Sequence, residues 1–139
     1  MSKINLGRVI LGGLVAGLIV NLLEFVLHEK VIKADEMAAM TAIGKGGSTG
    51  QIWVWLVYGF AYGIVAVWIY AAIQPRFGAG AATAVRAAVV AWFLSTLLSG
   101  VALVNLGIYA ANITVITALW GLVETVIAVV AGARLYRDA

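Results

Sequence analysis

Four stretches of this chain, residues 9–28, 52–73, 87–109 and 113–133, are each long and apolar, and the second and third carry no charged residue. About 20 mostly apolar residues cross a hydrocarbon core as a helix. Inside a bilayer every backbone N–H and C=O must be paired within its own segment, which leaves helices as the simplest solution. The sequence therefore predicts an all-α integral membrane protein: a four-transmembrane-helix bundle forming a single transmembrane domain over residues 1–139. Composition points the same way, because 64% of the residues are hydrophobic and 11% charged, against about 45–50% and about 25% in soluble domains. A soluble fold of this size could not cover that much apolar surface.

The first span follows Lys3 and Arg8, as a secretory signal would, yet no small-residue cleavage site follows and the chain continues through Asn21 and Glu24 to His28 in helical character. It is read as an uncleaved span. Lys3, Arg8, Arg76, Arg86, Arg134 and Arg137 flank the spans on one side, and Lys30, Lys33 and Lys45, accompanied by Glu29, Asp35 and Glu36, lie on the other. Positive residues near span ends are retained in the cytoplasm, so both termini are expected there, in a cytoplasmic membrane of the bacterial inner-membrane type. Trp53, Trp55 and Tyr109 then mark the outer interface, and Trp68, Tyr70 and Tyr136 the inner one. Trp92 and Trp120 are expected deeper, with an indole N–H seeking a partner.

The extracytoplasmic loop, residues 29–51, reads as a short helix over 33–43 ending at Gly44, followed by a flexible glycine-rich link over 45–50. The link lacks the order of a phosphate-binding loop. Gln74, Pro75, Arg76, Phe77 and Gly78 read as a breaker that ends the second span. Tyr58-Gly59 and Trp120-Gly121 are followed, at the same distance, by Ile64-Val65-Ala66-Val67 and Val126-Ile127-Ala128-Val129. This faint repetition would make the protein two similar hairpins.

Helices associate in lipid through close approach at small residues and through polar contacts. Gly13 and Gly17, Gly59 and Gly63, Ser95 and Ser99, and Gly121 with Thr117, Ala128 and Ala131 supply such seams in the four spans. Ionisable groups inside a span cost about 2.5–3.5 kcal/mol on insertion scales and mark function by default. Glu24 and Glu124 are the clear cases. Gly17, Asn21, Glu24 and His28 share one helix face, with Glu24 and His28 one turn apart. Glu24 falls near the outer end of its span and Glu124 near the middle of the fourth.

Two functional readings follow. The favoured one is a protein that works by association, as a homo-oligomer or an accessory subunit of a larger membrane complex, since the chain has glycine seams and little soluble mass. The alternative is a proton- or cation-coupled small-solute transporter using Glu124, Glu24, Asn21 and His28. His28 with Glu24 is also a weak candidate pair of metal or pigment ligands, and no motif implies a cofactor. Cys is absent, Ser95 and Ser99 have no neighbouring His in sequence, and no nucleophile elbow occurs, so no catalytic residue is assigned and enzymatic activity is not expected. The expected partners are the lipid bilayer and protein surfaces within it. Nucleic acid is set aside, because no polar segment interleaves basic and aromatic residues.

Overall fold

The structure, a computed structural model, describes residues 3–46 and 50–138. Gly47, Ser48 and Thr49 of the expected link lie outside the described residues. Every regular element described is helical, and four helices are long and apolar enough to span a membrane: Leu6–Val31, Ile52–Phe77, Ala81–Asn105 and Ala111–Ala133. The first comprises α1 (Leu6–Val26) and a π-helical turn, Leu27–Val31. A short helix, α2 (Lys33–Ala42), leads to the second span, α3 (Ile52–Phe77). The third is α4 (Ala81–Trp92), a second π-helical turn over Phe93–Leu97, and α5 (Leu98–Asn105). The fourth is α6 (Ala111–Ala133).

The helix ends have local causes. Asn5 caps α1, its side-chain oxygen accepting from the Arg8 N–H at 3.2 Å and satisfying one of the donors a helix N-terminus leaves unpaired. The segment from Gln74 to Gly78 ends α3, as its composition predicts, with Pro75 inside the last turn. The helix stops at Gly78, whose φ of 82° reverses the chain in a conformation glycine adopts without strain. The third span starts at Ala81 rather than residue 87, which brings Arg86 into the helix. Its guanidinium reaches back over the Phe77 ring, 5.0 Å from the centroid, so the long side chain carries its charge towards the helix end.

The bundle is a ring in which α1 and α4 each pack on both α3 and α6, while α3 and α6 meet across it. Glycines set the closest approaches. A side chain at Gly13 would strike Ile64, one at Gly17 would strike Phe60, and one at Gly63 would strike the α1 backbone at Gly13 and Gly17. Gly12 and Gly132 bring α1 onto α6 in the same manner, each backbone carbonyl lying where the other residue's Cβ would be. The fit of α4 is smoother: Thr83, Ala84, Ala87, Ala88 and Ala91 form its buried face.

These contacts lie in the half of the bundle nearest the termini. Ala66, Ala71, Val129 and Ala133 join the alanine face of α4 there, and Ala16, Val20, Val67 and Ala128 close the next layer. Positions at the constant offset of the sequence repetition are buried alike: Ala66 with Ala128, and Val67 with Val129. Tyr70 and Tyr136, expected at an interface, are buried in this half and packed edge to face with ring centroids 5.9 Å apart. Their hydroxyls tie the chain together: Tyr70 accepts from the Gly80 N–H, and Tyr136 accepts from the Asn5 N–H while donating to Asp138. The other half is splayed. Residues Ile52 to Tyr58 of α3 are all exposed, and a cavity opens beside them.

Candidate functional site

The cavity, about 610 Å³, is bordered by the splayed ends of the first three spans, α6 and the α2 side. That volume falls within the roughly 300–1,000 Å³ usual for small-molecule sites. Its mouth is marked by Glu29, Lys33 and Gly50, and its deep end by Val20, Glu124 and Thr125. Below lies the packed alanine half, so the space is closed towards the termini.

Both π-helical turns line this cavity. Such turns add one residue to a helix and rotate the face beyond them, and they recur at functional sites. In the third span the inward stripe runs through Ala84, Ala88 and Ala91, and an unbroken α-helix would continue it at Ser95 and Ser99. The turn at Phe93–Leu97 moves it by one residue, so that Thr96 faces Gly121 and Gly100 faces Thr114 on α6. Ser95 and Ser99 line the cavity, as do Thr96 and Gly100. The Ser95 hydroxyl donates to the Ala91 carbonyl at 2.8 Å.

The turn at Leu27–Val31 holds His28 where α2 folds back on α1. One ring nitrogen, Nε2, lies 2.9 Å from Glu24 Oε2, and the other, Nδ1, lies 2.9 Å from Glu36 Oε2. Each of these contacts needs a proton between nitrogen and oxygen. The triad therefore holds two protons among three groups, either as imidazolium between two carboxylates or as imidazole beside one carboxylic acid. Glu24 and His28 were paired from sequence. Glu36 was counted only as loop charge, since nothing local joins it to His28 across the chain reversal at Ile32. Lys33 is paired with Glu29 at 2.7 Å. Both His28 nitrogens face carboxylates, so a metal there would displace one of them. Among the described residues no three His, Asp or Glu side chains converge as metal ligands.

Asn21 borders the cavity, but its amide donates to the Leu56 carbonyl at 3.1 Å and occupies the space above Gly59. Its geometry is that of a clamp between α1 and α3. Gly121 is the looser seam, since a Cβ there would meet the Thr96 side chain at 3.2 Å. Of the deeper indoles, Trp92 donates to the Ala118 carbonyl at 2.8 Å.

Glu124 is the most constrained group. It is 3% exposed, and its Oε2 has no hydrogen-bond partner among the described residues. The Thr114 hydroxyl and the Trp120 indole N–H share that condition. Both orphaned oxygens border the main cavity, and Trp120 and Glu124 also border an apolar groove on the outside of α6 with Leu23, Leu119, Val123 and Ile127. Glu24 acts on Glu124 both through its charge and as a side-chain hydrogen-bond neighbour, and the Trp120 indole also lies towards the Glu124 carboxyl group. Nearby, Tyr62 and Thr125 join hydroxyls at 3.0 Å. A buried polar atom without a partner forfeits about 1–3 kcal/mol, more when it is charged, so one beside a cavity is an acceptor or donor ready for a ligand. Comparison with known proteins finds no matching family model, no matching curated protein and no matching solved structure.

Proposed function

We propose that the protein is a proton- or cation-coupled small-solute transporter, and that the cavity is its vestibule on the side opposite the termini. The observation that carries this reading is Glu124: a buried carboxyl group whose Oε2 has no partner among the described residues, at the closed end of a cavity whose mouth holds the Glu24–His28–Glu36 triad. An isolated carboxylate is costly to keep in an apolar interior. That cost is offset by a proton or by a bound cation, one at a time, and this alternation is the basis of coupled exchange. The triad, two protons shared over three groups, supplies a relay between the mouth and the interior. The positive flanks at Arg76, Arg86, Arg134 and Arg137 favour a cytoplasmic location for the closed end and both termini, in a cytoplasmic membrane.

The association reading loses its main support, because Gly13, Gly17, Gly59 and Gly63 are occupied in packing α1 on α3 within one chain. Liposomes carrying the purified protein and an internal pH dye separate the two. Addition of sodium, potassium or a small organic cation outside should discharge an imposed pH gradient, and Glu124→Gln should abolish the response. A gradient that no cation discharges, together with extraction of the chain in a stable complex with other subunits, would return it to the accessory role.

A further inference from the structure

The walls of the cavity specify more than a charge. Glu24, Glu29, Glu36 and Glu124 border it against His28 and Lys33. The two basic groups are already paired, His28 with Glu24 and Glu36 and Lys33 with Glu29. Glu124 interacts with Glu24 and Trp120 but has no basic partner of its own among the described residues, which disfavours a carboxylate or phosphate as the natural occupant of the deep end.

Glu124 also selects among cations. Its Oε2 is an acceptor without a donor, and a protonated amine brings an N–H along with its charge. A quaternary ammonium brings only the charge. Above it the surfaces are aromatic: Trp55, Tyr58 and Tyr62 border the cavity, with Trp55 and Tyr58 set edge to face at 6.2 Å. Aromatic faces accept both an apolar body and the periphery of a cation. The groove beside Leu119, Val123 and Ile127 brings a hydrocarbon surface to the same carboxyl group from the lipid side.

We propose that the cavity binds a protonated amphipathic amine, its ammonium group on Glu124 and its apolar body against Trp55, Tyr58 and Tyr62. This deepens the transport reading, since it rests on the same site, and it assigns the class of solute. It requires no covalent step. The amine arrives carrying its own proton, Glu124 releases towards the cavity mouth the proton it holds in the empty site, and the resulting carboxylate accepts the N–H hydrogen bond.

The experiment uses the full chain in phosphatidylcholine nanodiscs, titrated calorimetrically with 4-phenylbutylamine, its N,N,N-trimethyl analogue and 4-phenylbutanol, with empty discs subtracted. The amine should bind most tightly, the trimethyl analogue less, and the alcohol least. Glu124→Gln should weaken the amine roughly 10- to 100-fold, the range of a hydrogen bond to a charged group. Tyr58→Ala, on the exposed stretch of α3, should weaken all three alike. An alcohol that binds as tightly as the amine would overturn the proposal without any variant, and so would a folded Glu124→Gln protein with unchanged amine affinity. Amine binding without cation-driven discharge of the pH gradient would refute transport and leave the amine site standing. Glu124-dependent discharge by inorganic cations with no preference for the amine would do the reverse.

Discussion

Gly63→Ala should be among the most damaging single-methyl additions available to this protein. A Cβ at Gly63 would lie 2.5 Å from the Gly13 carbonyl oxygen and 2.7 Å from the Gly17 Cα, with the Gly17 nitrogen nearer still, whereas ordinary contact begins at 3.4 Å. All three obstacles are backbone, so no side chain can swing aside and α1 and α3 must part by roughly 1 Å in a close-packed interior. Overpacking a core typically costs 1–3 kcal/mol and occasionally more, and the rigidity on both sides places this case at about 3 kcal/mol. Two controls bracket it. At Gly121 the nearest atom is the Thr96 methyl at 3.2 Å, which can yield, so Gly121→Ala should cost about 1 kcal/mol or less. Gly7 lies in the exposed first turn of α1 with only the Asn5 side chain at 3.6 Å, and Gly7→Ala should gain about 0.5 kcal/mol from helix propensity. Reversible unfolding in mixed micelles, followed by circular dichroism, gives the three values on one scale. Equal stability of Gly63→Ala and Gly121→Ala would refute the assignment of the α1–α3 interlock.

Glu36→Gln removes the charge on one side of His28 while leaving α1 intact, and it should raise amide exchange across Lys33–Ala42 at least several-fold without altering exchange in α6. Unchanged protection of α2 would mean that the His28 contact does not hold it. Burial raises the Tyr136 phenol above its ordinary pKa, helped by Asp138 and opposed by the Asn5 N–H. A phenol whose folded pKa is raised contributes its stability fully below the unfolded value and loses it as pH rises through the folded one. The tie between Asn5 and Tyr136 should therefore persist through neutral and mildly alkaline pH and loosen only above the ordinary tyrosine range. Absorbance at the tyrosinate band, wild type minus Tyr136→Phe, should titrate later than free tyrosine, and an ordinary titration would count against the burial.

The spans were legible because membrane insertion is written locally: some twenty apolar residues suffice, whatever they later touch. Their limits were less so. Arg86 read as a flank because a charge normally marks one, yet a long side chain lying over Phe77 lets the helix begin before it. Gln74 to Gly78 read as the end of the second span and α3 does stop within it, at Phe77, four residues beyond the expected limit, because in the last turn Pro75 forfeits only one hydrogen bond. Glu24 and His28 were legible as helical neighbours, and Glu124 as a charge at mid-span. Glu36 was not, since its contact depends on how α2 folds back. The π-helical turn of the third span left one trace, a phase break in the small-residue stripe after Ala91. Reading that break would have pointed to Thr96 and Gly100 as contacts with α6.

The two kinds of packing in the closed half differ mechanically. Where glycine admits a backbone into a notch, as at Gly63 against Gly13 and Gly17 or at Gly12 against Gly132, sliding is obstructed by main chain on both sides. These notches key α1 to α3 on one side and to α6 on the other. The alanine face of α4 presents low, regular relief that resists separation but offers little purchase against shear. The third span, joined through this smoother face, carries its π-helical turn beside the cavity, where Thr96 meets Gly121 three residues before Glu124.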